Sequence, residues 1–350
     1  MAADRHPDAS QPPFLALEVA PERASVVLVA VPFDATTSYR AGTAGGPAAI
    51  LRASAQVDLE DYLLGPIADR GIMMEAIEPW IGELSASVRP DAQGLIAVEG
   101  VPPVDEAARE RVDAACERVR GHVRDRVGAI LDAGRTPGVV GGEHGVSLGA
   151  IEACAAFSGT LGVVQVDAHM DLREAYCGLA LSHASVMRNA LERCEGVRAI
   201  AQVGVRDFSA AERDYARAVN AAGHKRVRCL HAEEIASRCA GGVSFARQVR
   251  ELVAPLPQSI YVSFDIDALE VHLCPNTGTP VPGGLSFTQA GELVRAIRDS
   301  GKTVVGFDLV EVAPDPDPAR RSVDEIVGAR LLYKLCSLGR QAPQAAAGEA

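Results

Sequence analysis

Short runs of apolar and β-branched residues recur along the chain at 26–31, 137–141, 161–166, 198–205, 226–230, 259–266 and 303–312, with a weaker one at Ile72, Met73 and Met74. Between them, apolar positions return every third or fourth residue among Arg, Asp and Glu, which is the period of a half-buried helix. The longest such pattern covers 104–134; others lie near 47–55, 147–157, 183–193, 209–221, 244–253, 288–299 and 322–337. Apolar strands alternating with amphipathic helices predict an α/β fold. It would be a single three-layer αβα domain with a mostly parallel sheet of about eight strands covered on both faces. No internal repeat or linker divides the pattern, so 25–338 reads as one domain. Residues 1–24 are expected to form a loose arm, 85–103 a surface loop, and 339–350 a low-complexity disordered tail.

Composition narrows the class. Of 350 residues, 48% are hydrophobic but only 4% aromatic, so the core must be aliphatic. Lys and Arg number 34 against 46 Asp and Glu, a formal charge of −12. That balance argues against nucleic acid and against anionic membrane surfaces as partners. No apolar run is long enough for a bilayer span, and the polar, Pro-rich start lacks the apolar centre of a signal peptide. The eight cysteines form no Cys-x-x-Cys pair and sit mostly in apolar surroundings, as reduced thiols of a cytoplasmic protein do.

The chemistry concentrates in three runs that each follow a strand-like stretch: Gly141-Gly142-Glu143-His144, Asp167-Ala168-His169-Met170-Asp171 and Asp265-Ile266-Asp267. Alone, each is weak, because an Asp-x-Asp at a strand end is usually a turn or a helix cap. Together they bring four aspartates and two histidines to the carboxyl ends of parallel strands, where open α/β sheets bind ligands. If the extended conformation persists, Asp167, His169 and Asp171 line one side, as do Asp265 and Asp267. Gathering four carboxylates in one buried place without cations is prohibitively costly. Two divalent metal ions are therefore expected. The oxygen-rich donor set favours manganese; nickel or cobalt also fits, and thiolate-seeking zinc fits less well.

From Val31 to Leu335 the chain resembles the ureohydrolase family, which includes arginase, agmatinase, guanidinobutyrase, guanidinase and formimidoylglutamase. Pro32-Phe33-Asp34, Thr37-Ser38-Tyr39-Arg40, Gly42 and Gly46-Pro47-Ala48-Ala49-Ile50 are similar to its N-terminal signature. Ser263-Phe264-Asp265-Ile266-Asp267, Gly278-Thr279-Pro280 and Gly283-Gly284 are similar to its C-terminal one. The pattern looks most like the agmatinase and guanidinase branch. The resemblance implies that His144 and Asp171 complete one metal site, that His169 and Asp267 complete the other, and that Asp167 and Asp265 bridge them. It implies that His183 relays a proton, that Glu311 holds a guanidinium, and that Asp171 orients the attacking water. Ser182 and Arg173 are further candidate substrate contacts.

The reaction implied by resemblance is hydrolysis of a guanidino C–N bond in agmatine, guanidine, an alkylguanidine or a biguanide. The products would be urea or a urea derivative and an amine or ammonia. A trimer or hexamer, with or without a paralogous subunit, is implied in the same way. The chain departs from its relatives at Glu143, where most carry Asp, at Gly145, commonly Ser, and at Glu270, usually Asp; all three are expected beside the metals. Arg173 stands where arginases carry a small polar residue. It either meets a substrate carboxylate, as in formimidoylglutamase, or turns to Glu174 or another acid. Formimidoylglutamate hydrolysis, releasing formamide, is thus the second activity. A non-catalytic subunit is disfavoured because all six ligands are present. A single-zinc deacetylase-like enzyme is disfavoured by His169, Asp267 and Glu311.

Overall fold

A computed structural model of the chain describes residues 11–99, 105–223, 226–317 and 320–340. Among the described residues ten strands occur in chain order: β1 Val26–Val31, β2 Glu60–Asp61, β3 Gly65–Pro66, β4 Ile72–Met74, β5 Thr136–Gly141, β6 Leu161–Val166, β7 Val197–Val203, β8 Arg226–Leu230, β9 Ser259–Asp265 and β10 Thr303–Val310. The α-helices are α1 Gly46–Ser54, α2 Pro79–Ala97, α3 Glu106–Asp132, α4 Ser147–Ser158, α5 Val186–Arg193, α6 Ala210–Ala222, α7 Ala232–Ala240, α8 Phe245–Val253, α9 Phe287–Arg298 and α10 Val323–Cys336.

Eight strands form one sheet in the order β4-β1-β5-β10-β9-β6-β7-β8, and every pairing in it is parallel. Successive strand residues enter opposite cores, because side chains alternate across a strand. Val26 and Leu28 pack into one aliphatic cluster and Val27, Val29 and Val31 into the other. Both faces are covered over most of the sheet, so its strands read as near-unbroken apolar runs; the edge strand β8 alternates instead, with Arg226 and Arg228 exposed. The last two strands return to the middle of the sheet, with β10 between β5 and β9. Among the described residues no helix is long and apolar enough to cross a membrane.

Three expectations about the periphery need correction. Much of the surface loop foreseen at 85–103 is helix α2, which buries Ile81, Ser85, Val88, Ala92 and Leu95 at helical spacing; 100–104 lie outside the described residues. The expected loose arm is not loose where it is described. Phe14 and Leu15 are buried in the core, the Leu15 N–H donates to Ser54 Oγ at 2.9 Å, and the Gln11 side chain accepts from the Ile77 N–H at 2.9 Å. Residues 1–10 lie outside the description. At the other end, Arg340 is held at the sheet's lower edge. Its N–H donates to Thr136 Oγ1, and its carbonyl accepts from Ser25 Oγ, both at 3.0 Å; 341–350 are outside the description. Helix α7 was not foreseen either.

Phe14→Ala is expected to lower the free energy of unfolding by about 3 kcal/mol, the usual loss for a buried phenylalanine, measured from urea midpoints. A loss below about 0.5 kcal/mol, the range of surface changes, would mean that 11–24 is an arm after all.

Candidate active site

The four middle strands, β5-β10-β9-β6, carry the site at their carboxyl ends. His144 follows β5 in a short 3-10 turn, Asp167, His169 and Asp171 follow β6, Asp265 closes β9, and Glu311 follows β10. The register pairs Val166 with Phe264, Asp265 with Val310 and Leu309 with Val140, so these ends are level. Gly142 is needed where the loop after β1 crosses: a Cβ there would lie 2.1 Å from the Phe33 carbonyl oxygen.

The extended backbone assumed for the metal-binding runs does not persist. Asp267 sits in a 3-10 turn, Ile266–Ala268, and Asp171 has φ +53°. Turn hydrogen bonds aim the side chains instead. The His169 N–H donates to Asp167 Oδ1 at 2.6 Å, the Asp267 N–H to Asp265 Oδ1 at 2.8 Å, and the Ala168 N–H to Asp267 Oδ1 at 3.1 Å.

Two groups of donor atoms result, His144 with Asp167 and Asp265, and His169 with Asp167 and Asp267, the atoms of each lying within 4.8 Å of one another. Asp167 belongs to both: its Oδ2 is 3.0 Å from His144 Nδ1 and its Oδ1 3.5 Å from His169 Nδ1. Asp171 Oδ2 stands 2.9 Å and Asp265 Oδ2 3.4 Å from His144 Nδ1. Asp267 Oδ2 is 3.1 Å from His169 Nδ1. Asp265, the other expected bridge, is grouped with His144 only.

These residues fit a pair of cations. His144 Nδ1 is buried among three carboxylates yet makes no hydrogen bond. Its Nε2 lies 2.8 Å from Ser263 Oγ, which donates to the Asp308 carboxylate at 3.0 Å; the Phe264 N–H also donates to Asp308. A proton on Nε2 leaves the Nδ1 lone pair facing the carboxylates, the orientation that such partners impose on a metal-binding histidine. Burial and the neighbouring carboxylates push Asp265 upward, and burial with Asp167 takes Asp171 to about 7. Two divalent ions would cancel the charge of the four aspartates and relieve that repulsion.

Above this cluster lies a cavity of about 300 Å³, lined by His144, His169, Asp171, His183 and Glu311 among others. Glu311 has φ +63°, a conformation costing about 1–3 kcal/mol that surroundings must enforce. Its N–H donates to the Gly142 carbonyl and its carbonyl accepts from Thr277 Oγ1, both at 2.8 Å. Oε1 accepts from the His144 N–H at 2.8 Å, while Oε2 is buried without a partner. The His183 ring has Nε2 3.2 Å from Ser38 Oγ and Nδ1 buried without a partner. Burial pushes this imidazole down to about 3, with His169 and His144 adding to the effect, so it is neutral at ordinary pH.

Other candidates are placed differently. Ser182, expected to touch substrate, does not line the cavity; its hydroxyl is 2.9 Å from Ser185 Oγ and caps the His183 turn. Arg173 does line it, with Nε 3.8 Å from Glu212 Oε2 and its guanidinium 5.4 Å from the centre of the Tyr176 ring. It thus pairs with an acid, but with Glu212 rather than Glu174, which faces Arg188. Glu270, expected beside the metals, is 43% exposed and faces His272. Sequence reasoning missed Ser263, Asp308 and Glu212. The first two stand as polar residues inside apolar runs, a signal for a buried network.

Fold and donor set fit a metal-dependent hydrolase, and comparison with known proteins gives the family. The chain belongs to the arginase family, whose model matches residues 24–337. It is 33% identical over 317 residues to N(1)-aminopropylagmatine ureohydrolase of Thermococcus kodakarensis, covering 90% of this chain and 91% of that one. It is 32% identical over 319 residues to proclavaminate amidinohydrolase of Streptomyces clavuligerus, covering 90% and 89%. Its fold is similar to the crystal structure of agmatine ureohydrolase of Thermoplasma volcanium, with TM-score 0.68, 24% identity and 94% of each chain covered.

His169→Ala is expected to keep one metal per chain where the unaltered protein holds two, measured by plasma mass spectrometry after dialysis. Asp308→Asn should weaken metal binding about ten- to a hundredfold, measured by calorimetric titration; equal affinity would show that the Ser263–Asp308 relay does not orient His144.

Proposed function

We propose that this hydrolase cleaves the C–N bond of a guanidino compound, giving urea or a urea derivative and an amine or ammonia. The carrying observation is Glu311: a buried carboxylate in a strained backbone, with one oxygen anchored and the other free in a cavity beside the metal cluster. Manganese is the preferred ion pair, with nickel second, held by His144, Asp167, Asp171, Asp265, His169 and Asp267. When bound, such ions would lower the pKa of a water enough to make it a nucleophile near neutral pH.

The chain's own groups do the rest. Glu311 Oε2 accepts guanidinium N–H bonds and fixes the carbon over the cluster. Burial and the Glu143 carboxylate hold the Glu311 pKa well up in the free protein, and a bound cation favours its ionised form. Asp171 orients the attacking water. As the C–O bond forms, neutral His183 takes a proton and delivers it to the departing nitrogen as the C–N bond breaks.

The outer wall of the cavity bears on the substrate. Asp207 and Glu212 face it with Arg173, and Arg173 already lies near Glu212. Two acids against one paired cation favour a neutral or cationic tail, as in agmatine or an alkylguanidine. The same arginine is the observation that keeps formimidoylglutamate as the second substrate. The mostly buried cysteines suit the reducing cytoplasm, where the protein would act as a trimer or hexamer.

Protein loaded with Mn²⁺ or Ni²⁺ should release urea or a urea derivative from at least one of agmatine, guanidine, an alkylguanidine and a biguanide. Formamide release from formimidoylglutamate alone would move the assignment, and no product from any of them would refute it. Glu311→Gln is expected to cut kcat/KM by about one to two orders of magnitude, from the roughly 1.5–3 kcal/mol of a hydrogen bond to a charged group.

A further inference from the structure

We infer that Thr36 and Glu143 are positioning residues for His183: a buried carboxylate fixes a hydroxyl, and the hydroxyl fixes the histidine's main chain. The inference rests on the proposed role of His183 in the guanidino reaction.

The loop after β1 crosses the end of β5, where the Glu143 N–H donates to the Phe33 carbonyl at 2.8 Å. Glu143 is buried, and its Oε2 accepts from the Thr36 N–H at 2.8 Å and from the Thr36 hydroxyl at 2.9 Å. A hydroxyl has one proton. With that proton committed to Glu143, the Thr36 oxygen offers its lone pairs, and the His183 N–H meets it at 3.4 Å. Two residues on, Ser38 Oγ stands 3.2 Å from the His183 ring. One loop thus holds both the backbone and the imidazole.

The loop is itself braced. Asp34 Oδ2 accepts from the Gly42 N–H at 2.8 Å, Asp34 Oδ1 accepts from Ser85 Oγ at 3.1 Å, and Arg89 donates to the Ala35 and Thr37 carbonyls at 2.9 and 2.6 Å. On the other side of the turn, a Cβ on Gly145 would lie 3.3 Å from the Ser182 carbonyl carbon and 3.4 Å from the His183 nitrogen. A bare glycine lets the His183 turn sit this close. Glu143 and Gly145, two positions where the chain is expected to depart from the family pattern, both belong to this clamp.

Displacing a proton-transfer group by even 1 Å can cost about a hundredfold in rate. Thr36→Val is therefore expected to lower kcat about ten- to a hundredfold, with KM within about twofold and metal content unchanged. Thr36→Ser, which keeps the hydroxyl, should recover most of the rate. Adding Glu143→Ala to Thr36→Val should cost little more, because residues acting through one contact are not additive. A second readout needs no turnover. In the manganese-loaded protein, amide hydrogen exchange of the peptide spanning 182–185 should quicken in Thr36→Val and return in Thr36→Ser. If the unaltered protein hydrolyses no guanidino compound, the proposed function fails, yet the exchange comparison still decides the clamp. Unchanged exchange in Thr36→Val, a full kcat, or additive effects of the two substitutions would overturn it.

Discussion

The structure depends on one electrostatic constraint: four aspartates, three of them almost wholly buried, share a pocket with two imidazoles. Unbalanced, such a cluster would oppose folding, because each ion loses its water and faces like charge. Two features make it tenable. The first is a bank of N–H donors at the ends of parallel strands, where turns give Asp167, Asp265 and Asp267 a backbone partner each. The second is space for cations, marked by the unpartnered Nδ1 of His144. The return of the last two strands to the centre of the sheet matters for the same reason. It sets β9 and β10 between β5 and β6, so that ligands far apart in sequence meet on four adjacent strands.

Much of this was legible in the chain. Apolar runs marked the inner strands of the large sheet because both faces are buried there, and alternation marked the edge strand β8. The ligands showed as acids and histidines placed where those runs stop. What could not be read was how the ligands converge. The runs leave the strand at once, and turn geometry at Asp171 and Asp267, not side-chain alternation, aims them. Helix α2 was masked by composition. Gly82, Pro90 and Gly94 lie within it and argue against a helix, yet its buried positions keep a helical stripe. Its importance also lay outside any local pattern, since Ser85 and Arg89 brace the loop that reaches His183. Phe14 illustrates a similar limit: a polar, Pro-rich setting hid a residue that tertiary contact places in the core.

Around the metal cluster the chain separates two tasks. Groups beneath it hold ligands still, as Ser263 and Asp308 do for His144. Groups above it keep atoms free, as with Glu311 Oε2 and His183 Nδ1, both buried without a partner. Unsatisfied buried polar atoms are rare in folded proteins and call for a physical reason. Here two of them face one cavity, and a guanidinium with a departing amine would satisfy both. Farther out, Arg173, Asp207 and Glu212 line the cavity, and the proposed function assigns substrate choice to them. That wall was the least legible part, because Glu212 reaches it from a helix that the sequence marks only as amphipathic.

The central claim is a bridged pair of cations, and electron paramagnetic resonance of the manganese-loaded protein tests it most directly. Two ions sharing Asp167 at about 3.5–4 Å should give a spin-coupled spectrum that reaches full intensity at two equivalents per chain. An isolated six-line signal saturating at one equivalent would contradict the account.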